Sequence, residues 1–404
     1  MIQIDTLTMI LGGIAILLAF LTPFLSSFWL IPTPPAEAET AAEEESDSET
    51  AIETETPLAT ETEQEATPPV SLLMIVQQKQ AQALATHLPQ FLSQTYAAGF
   101  EVIVVAEKGD SDSEDVINRF SNDKRLYATY VPDSSRYMSR RKLAITLGVK
   151  AAHNEWIILT DATCEPSSDK WIQAIASHCT EENNLVVNYA NFEDSAPAFY
   201  RFSRLQRASF TMREALHGTL YRSIGTSIAF RKSEFLEKDG FRGNLQDTRG
   251  EYDFLANKFA QRGKTAVANE ALAWMKEDMP SRHMLRSRSI YYMHTRKHLK
   301  RSFSHRLLPF CCELALHLTF LTCLAAIIVG IITSRWILLG AGVFSLLATF
   351  IIRTLIGRKA IQAYSENLHP WATYPFELFV VWHNAYHRLR YLHANKADFT
   401  SHKV

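Results

Sequence analysis

The chain has 404 residues, 47% of them hydrophobic and 21% charged, which is enough for one large folded domain together with membrane segments. Its five cysteines and its histidines show no metal-ligand spacing, which argues against a zinc site and a disulfide framework. We therefore expect a reducing compartment.

A near-neutral formal net charge of −2 hides an acidic front and a basic body. All 41 Lys and Arg residues lie beyond position 78, whereas Asp5 and twelve acids between positions 37 and 65 belong to the front. A basic body suits a protein that handles anionic substrates or lies against anionic lipid.

The first hydrophobic stretch, residues 7–31, predicts an N-terminal transmembrane helix within 1–31. It carries no charge over about 25 residues and, at about 1.5 Å per residue, can cross a hydrocarbon core of about 30 Å. A cleaved signal peptide is the alternative, but the length and the lack of preceding basic residues favour a retained helix.

Residues 32–69 combine Pro, Glu and Thr with almost no large apolar side chains. Such a segment cannot bury enough apolar surface to offset the entropy of ordering, so we expect an acidic, disordered linker. Its acids either contact the basic body or form a solvated spacer.

From Val70 onward, short apolar runs alternate with amphipathic stretches. The stretches predict helices around 80–96 and 139–152, and the runs predict buried strands: VSLLMIV at 70–76, FEVIVVA at 100–106, RLYATYV at 125–131 and EWIILTD at 155–161. This alternation favours an α/β fold with a mostly parallel, doubly wound sheet, whose ligands bind at the carboxyl ends of the strands. Asp161 stands at such an end.

Further membrane elements are predicted after the folded domain. Residues 282–306 form a basic juxtamembrane segment, and apolar stretches at 307–333 and 336–352 predict a transmembrane hairpin within 307–356. The basic residues around the hairpin indicate that both of its bases, and with them the folded domain, face the cytoplasm.

The C-terminal segment, 357–404, is predicted to be amphipathic and interfacial. Its stretch 370–392 mixes aromatic residues with Arg and His. This stretch either lies in the membrane interface or packs against the hairpin.

A carboxylate at the end of a buried strand can hold a divalent cation. Mg²⁺ and Mn²⁺ use one or two protein carboxylates and complete their shell with water and substrate phosphate oxygens. Asp161 suits this role, whereas Thr163 offers only a neutral hydroxyl. The alternative is that Asp161 only supports the turn after the strand.

Basic and small residues near this strand indicate a place for an anionic ligand. Arg140, Arg141 and Lys142 open the preceding helix, where they either approach a diphosphate or form a solvated face. Gly225 and Ser227 lie in SIGTSIAF, whose small residues permit close approach of the backbone to a ligand.

The stretch RGEYDF at 249–254 carries two acids around a tyrosine. Either Glu251 or Asp253 can serve as the general base for an acceptor hydroxyl.

In their order and separation, these motifs resemble the family 2 glycosyltransferases with a GT-A fold, in particular membrane-anchored bacterial members with C-terminal transmembrane helices. The resemblance covers residues 70–277 through VSLLMIV, FEVIVVAEKGDSDSEDV, IAFRKSEFLEKDGF and RGEYDF, and is most specific in SRRKLAITLGVKAAHNEWIILTDATCEPSSDKWI. It implies a Rossmann-like GT-A domain at 70–281.

The resemblance implies roles for individual positions. Asp161 matches the first acid of the family's Asp-x-Asp motif, which binds the metal and the nucleotide diphosphate, and Thr163 occupies the place of the second acid. Arg141 matches a basic residue near the nucleotide, and Glu107 keeps one carboxylate of an acidic pair that recognises uridine and ribose. Glu251 matches the first acid of the family's Gly-Glu-Asp motif.

The sequence departs from the family at the expected base. Tyr252 stands where the second acid is expected, and Asp253 is shifted by one residue, which turns a helical side chain by about 100°. The Gln-x-x-Arg-Trp motif of processive members is absent from 282–300, which argues against a synthase of long homopolymers.

Together these features predict a multi-pass protein of the bacterial inner membrane that transfers a sugar from a nucleotide-diphosphate donor to an acceptor hydroxyl, with inversion and with Mg²⁺ or Mn²⁺. We expect a glycan or lipid-linked acceptor, a role in cell-envelope or exopolysaccharide assembly, and no nucleic-acid partner. Thr163 and Tyr252 leave an alternative, a non-catalytic relative that serves as a scaffold or binding protein for other envelope-glycan enzymes.

Overall fold

A computed structural model describes residues 5–35, 67–132, 139–217 and 220–400, so most of the predicted linker lies outside the described residues. In chain order the helices and strands are α1 (Thr6–Leu21), β1 (Val70–Ile75), α2 (Ala81–Leu92), β2 (Phe100–Glu107), α3 (Ser111–Arg119), β3 (Leu126–Val131), α4 (Arg140–Ala151), β4 (Trp156–Asp161), β5 (Cys164–Pro166), α5 (Trp171–Ala176), β6 (Leu185–Asn188), β7 (Ala190–Phe192), α6 (Ala198–Leu216), β8 (Ile228–Arg231), α7 (Lys232–Glu237), α8 (Glu251–Phe259), β9 (Thr265–Ala268), β10 (Met275–Glu277), α9 (Arg282–Thr295), α10 (Phe303–Ile332), α11 (Trp336–Ala363) and α12 (Thr373–His393).

The main sheet of the described residues has seven strands in the order β3-β2-β1-β4-β8-β6-β9. The first four of these strands pair in parallel, whereas β8 runs antiparallel to both of its neighbours. The predicted α/β fold with a mostly parallel sheet is therefore confirmed. Strands β5, β10 and β7 form a small second sheet, which brings Cys164 opposite Glu277.

Hydrophobic side chains on both faces of the main sheet explain why its strands read as continuous apolar runs. Alternate residues of β1 point to opposite faces, with Leu73 packing under α4 on one side and Leu72 in the other core. Gly148 permits this contact, because a Cβ there would lie 2.1 Å from Leu73 Cδ1. Helix α4 is thereby held close to β1, with its first turn at the carboxyl edge of the sheet.

Three helical segments of the described residues are long and apolar enough to cross a membrane: Thr6–Leu25, Phe303–Ile332 and Trp336–Ala363. They overlap the predicted N-terminal helix and the two arms of the hairpin, but the second helix of the hairpin continues to Ala363, past the predicted end of that arm at 352. Where the arms meet, Ser334 takes a left-handed backbone conformation with φ of 54°.

A buried ion pair joins the membrane-length helix α11 to α12. Arg353 Nη1 on α11 lies 2.6 Å from Glu377 Oε2 on α12, and Arg353 Nη2 donates to the Thr22 carbonyl at 3.0 Å. Ser26 donates to the other Glu377 oxygen at 2.8 Å. Helix α12 also packs on α6, so the stretch predicted at 370–392 contacts both the hairpin region and the folded domain.

Candidate active site

The carboxyl end of β4 carries a buried carboxylate that is bound by an arginine and a tyrosine. Asp161 is 1% exposed, and Arg141 Nη2 donates to its two oxygens at 2.6 and 2.5 Å. Tyr252 Oη donates to Asp161 Oδ1 at 3.0 Å. Asp161 is therefore more than a turn residue, because it joins α4, β4 and α8 at one point.

Charge and burial fix the protonation of the groups that surround Asp161. Burial alone would lower the pKa of Arg141, but Asp161 and Glu251 outweigh it and raise that pKa above its usual value. Burial and the nearby Asp161 raise the pKa of Tyr252 well above 10. At neutral pH the tyrosine is a neutral hydrogen-bond donor, and it is not a base.

Glu251 begins α8 beside the same arginine. Its Oε2 lies 3.6 Å from Arg141 Nε, and its buried Oε1 has no hydrogen-bond partner among the described residues. The preceding Gly250 has a φ of +100°, a conformation that favours glycine and that starts the helix with Glu251 turned into the site.

Asp253, the other predicted base, lies on the far side of Tyr252. It accepts a hydrogen bond from the Ser223 backbone at 3.1 Å, and Arg222 Nε is 3.9 Å from the same oxygen. The structure therefore brings Asp161, Arg141 and Glu251 together and gives Asp253 different neighbours.

Sequence reasoning missed a second buried carboxylate, Glu277 at the end of β10. It lies 2.7 Å from Arg204 Nη2 and forms a short ion pair with Arg288. Burial would raise the pKa of Glu277, but these two arginines outweigh it and lower it to about 2. Glu277 in the stretch MKED gives no sequence signal, because the arginines that bind it come from α6 and α9.

The three consecutive basic residues of α4 point to different places. Arg140 forms an ion pair with Glu107, which also accepts from Gln78 Nε2 at 2.7 Å. Lys142 is fully buried and donates to the backbone carbonyls of Asn244 and Asp247, where burial lowers its pKa. Lys142 does not face the site, which corrects its predicted role as a nucleotide contact.

Two small polar residues predicted to contact the donor are also turned away. Thr163 Oγ1 and Ser227 Oγ are buried without hydrogen-bond partners among the described residues, and neither residue lines the cavity described next. Gly225 does line it, where a Cβ would lie 2.9 Å from Arg204 Nη2.

A cavity of about 1500 Å³ extends from Asp161 to the membrane helices. Asp161, Glu251 and Asp253 line one part, and Pro309 and Phe310 of α10 line another. The described lining includes fourteen arginines and five acids, with the arginines at positions 140, 141, 204, 207, 213, 222, 249, 286, 288, 296, 301, 306, 353 and 388. Such a lining favours anionic ligands, because one guanidinium group can donate two parallel hydrogen bonds to the oxygens of a phosphate group.

The donor set at Asp161 is compatible with a divalent cation held by one protein carboxylate. Asp161 faces the cavity, but Arg141 now bonds to both of its oxygens. A cation would have to displace Arg141 from one oxygen and take its other ligands from water and donor phosphates, which is a common arrangement for Mg²⁺ and Mn²⁺.

A separate Asp–His cluster lies outside this lining. His298 Nδ1 is 2.9 Å and His294 Nε2 3.4 Å from Asp247 Oδ1, and the ligand atoms of the three residues lie within 4.8 Å of one another. Sequence spacing did not indicate it, because Asp247 is remote from the two histidines along the chain. The contacts are those of a polar cluster that joins α9 and the residues after it to the loop before Gly250.

Comparison with known proteins gives a family match for the chain and a solved structure of similar fold. A family model for glycosyl transferase family 21 matches residues 48–390. The fold is similar to that of mannosyltransferase PcManGT from Pyrobaculum calidifontis, solved in complex with GDP-Man and Mn²⁺, with a TM-score of 0.50 and 16% identity over 95% of this chain and 99% of that chain. No curated protein sequence matches this chain.

Proposed function

Because the chain belongs to glycosyl transferase family 21 and is a glycosyltransferase, we propose that it transfers a sugar from a nucleotide-diphosphate donor to an acceptor hydroxyl at a membrane, with inversion at the anomeric carbon. The observation that carries the proposal is the cluster of Asp161, Arg141 and Glu251 at the end of β4, facing an arginine-lined cavity. We retain as proposals the GT-A type of the domain at 70–281 and its similarity to family 2 members.

The donor diphosphate is the group that the arginines near Asp161 suit best. Arg141 and Arg288 both line the cavity, and Asp161 influences the pKa of each. Fixed cations of this kind stabilise the negative charge that develops on a departing nucleoside diphosphate. The GDP-Man in the mannosyltransferase structure supports a nucleotide sugar as donor and makes GDP-mannose the first candidate to test.

A divalent cation bound between Asp161 and the donor phosphates would add charge stabilisation to that of the arginines. Mn²⁺ in the mannosyltransferase structure makes it the first ion to test, with Mg²⁺ as the second. Asp161 would then bind the donor together with its cation in place of Arg141. Arg141 would thereby become free to bind a donor phosphate.

Glu251 is the better placed of the two candidate bases. One of its oxygens has no hydrogen-bond partner among the described residues, whereas Asp253 accepts from the Ser223 backbone beside Arg222. A general base needs a free oxygen directed at the acceptor proton. We therefore propose that Glu251 removes this proton while Asp253 positions Arg222.

We propose the cytoplasmic side of a bacterial inner membrane as the setting, with residues 1–31 and 307–356 as its anchors and 282–306 and 357–404 at its surface. The three membrane-length helices and the basic residues around them support this arrangement. A glycan or lipid-linked acceptor, in envelope or exopolysaccharide assembly, suits an active-site cavity that reaches those helices.

Transfer by the full-length chain in isolated membranes tests the function. Radiolabelled GDP-mannose and a panel of UDP-sugars are offered with Mn²⁺, with Mg²⁺ and with chelator, and label in the lipid and glycan fractions is counted. Asp161→Asn and Glu251→Gln each remove a charge and keep the size of the side chain. We expect each to lower transfer at least a hundredfold, because the first removes the carboxylate proposed to bind the cation and the second removes the proposed general base. Asp169→Asn, an equivalent change at an exposed position, serves as control.

Two results would contradict the proposal. Undiminished transfer in Asp161→Asn would remove this cluster from the mechanism. A folded protein that neither binds nor transfers from any nucleotide sugar would instead favour the scaffold alternative, in which Thr163 and Tyr252 mark a lost activity.

A further inference from the structure

The cluster of Asp247, His294 and His298 brings one carboxylate and two imidazoles to a single point outside the cavity lining. Asp247 is fully buried, and its Oδ1 lies 2.9 Å from His298 Nδ1 and 3.4 Å from His294 Nε2. Ligand atoms about 2.0–2.2 Å from a tetrahedral ion lie about 3.3–3.6 Å from one another. Since no pair of the three ligand atoms is more than 4.8 Å apart, small side-chain rotations would bring them to that spacing.

Two buried polar atoms of this cluster are unpartnered. Asp247 Oδ2 and His294 Nε2 have no hydrogen-bond partner among the described residues. A buried carboxylate oxygen without a donor costs free energy, and a cation bound to it removes that cost. Both atoms belong to side chains that surround the same point, so one ion would satisfy them together.

Contacts on the far side of the His294 ring orient it for metal binding through Nε2. Its Nδ1 lies 3.2 Å from Tyr391 Oη, and a partner on the second nitrogen is the usual way in which a metal-bound histidine is held. Phe399 stacks on the same ring, with 5.0 Å between the centroids. Burial, opposed by Asp247 and assisted by neighbouring basic side chains, lowers the pKa of His294. At neutral pH the ring is therefore in the neutral form that binds metals.

The donor set selects the class of ion. Imidazole nitrogen suits Zn²⁺ and other late transition metals, whereas Mg²⁺ and Ca²⁺ prefer oxygen ligands alone. The His298 side chain is 35% exposed, so a water molecule can supply the fourth ligand of a zinc ion. None of the three residues is among the described residues that line the cavity at Asp161, which favours a structural ion over a catalytic one.

The cluster connects distant parts of the chain to the start of α8. Asp247 stands three residues before Gly250, where a Cβ would lie 3.0 Å from Thr295 Cγ2, beside His294. The backbone nitrogen of Thr248 donates to the Phe399 carbonyl at 3.0 Å. An ion at this point would therefore hold the loop before α8 against α9 and against the residues around Phe399.

From these contacts we propose that Asp247, His294 and His298 bind one Zn²⁺, with water as the fourth ligand, and that the ion fixes the loop before α8. The site is separate from the cation proposed at Asp161, and it does not depend on the proposed sugar transfer. Sequence spacing argued against a zinc site because only the fold brings Asp247 to the two histidines.

The metal content of the full-length chain tests the site. Protein purified in detergent is stripped with chelator and dialysed against buffered Zn²⁺, alone and with Mg²⁺ or Mn²⁺ in large excess. Metal per chain is then counted by mass spectrometry, without donor or acceptor. We expect about one Zn²⁺ per chain, retained against both competitors and retained in Asp161→Asn, which lacks the carboxylate proposed to bind the donor cation.

Asp247→Asn and His298→Gln each remove one ligand and keep a polar side chain. We expect each to weaken Zn²⁺ binding at least a hundredfold, and the partly exposed His298 provides the variant that should fold even where the buried Asp247 does not tolerate the change. His153→Gln is the matched control. His153 lies 2.7 Å from one carboxylate, that of Glu101, but belongs to no such three-residue group among the described residues.

Two further measurements test whether the ion fixes the loop. At a hundred times its Kd, Zn²⁺ should raise the unfolding midpoint of the native protein by roughly 5 °C and leave that of His298→Gln unchanged. Backbone hydrogen exchange in residues 244–250 and 396–400 should slow on addition of Zn²⁺ in the native protein alone.

Three results would overturn the inference: Zn²⁺ retained equally by the ligand variants, Zn²⁺ lost in Asp161→Asn, or hydrogen exchange in the loop that does not respond to the ion. Because no donor or acceptor is used, one bound Zn²⁺ in a protein without transfer activity would support this site and count only against the proposed function.

Discussion

Replacing Glu277 by Gln should destabilise the protein more than any exposed acid-to-amide change. Glu277 is fully buried and holds Arg204 of α6 and Arg288 of α9 on its two oxygens. The amide keeps the size of the side chain and one acceptor oxygen, but it leaves two arginines around a neutral group. The cost is therefore electrostatic.

The magnitude follows from the pKa of the carboxyl group. Burial opposes ionisation, yet the two arginines lower the pKa of Glu277 from 4.5 to about 2. At about 1.36 kcal/mol per pKa unit, this corresponds to about 3 kcal/mol, the lower end of the cost of breaking a buried ion pair. For a domain of some 200 residues, the unfolding midpoint should fall by roughly 6–12 °C.

The pH dependence gives the sharper test. Because the pKa is lower in the folded protein than in the unfolded chain, the contribution of Glu277 is fully present above about pH 4.5 and is lost as the pH falls toward 2. The difference in midpoint between the native protein and Glu277→Gln should thus be constant from pH 7 to 5 and roughly halved at pH 3.

Thermal unfolding of detergent-purified protein, followed by intrinsic fluorescence at one heating rate, measures these midpoints. Glu182→Gln, an exposed acid in a loop, controls for the general effect of removing a carboxylate. A midpoint in Glu277→Gln within 2 °C of the native protein at pH 7, or a difference that persists unchanged to pH 3, would refute the electrostatic account.

Three further changes test other contacts. Tyr252→Phe removes the hydroxyl that donates to Asp161, and should cost about 1–3 kcal/mol in thermal unfolding and raise the donor KM several-fold. Gly250→Ala imposes a Cβ 3.0 Å from Thr295 at a φ of +100°; we expect at least a tenfold fall in kcat, measured by sugar transfer, because the start of α8 must shift. Arg353→Met leaves Glu377 buried and unpaired, and should cost about 3–5 kcal/mol, with unfolding midpoints restored in part by Arg353→Met/Glu377→Leu.

The four parallel strands of the main sheet, β1 to β4, can be predicted from the sequence because each is a long apolar run that ends at turn residues. Strands β1 to β4 have six or eight residues, and their bounds agree with the predicted runs within a residue. Strands β5 to β10 have three or four residues each, too few to show a period against their surroundings. Their pairing depends on distant contacts that no local pattern encodes.

Only some of the predicted site residues lie together in the structure, because residues that are neighbours in a helix point in different directions. Successive residues of a helix are turned by about 100°, so Arg140, Arg141 and Lys142 cannot face one ligand together. Arg141 alone reaches Asp161, whereas Lys142 points into the loop that precedes Gly250. The arginines of α6 follow a helical spacing, but a solvated helix face has the same pattern. Only the position of the helix in the fold shows that they line a cavity.

The cavity depends on the membrane helices for its shape as well as for its location. Ser26 and Arg353 both donate to Glu377 in the buried cluster that joins the N-terminal segment to α11 and α12, and the same three residues line the cavity. Helix α12 continues along α6 with its aromatic side chains toward the cavity. The carboxylates of the reaction centre come from the sheet and α8, whereas the opposite wall comes from the membrane segments. In the proposed function the membrane segments supply the acceptor side of the site, so a fragment that ends at residue 281 should keep Asp161 and Glu251 but lose the surface proposed to hold the acceptor.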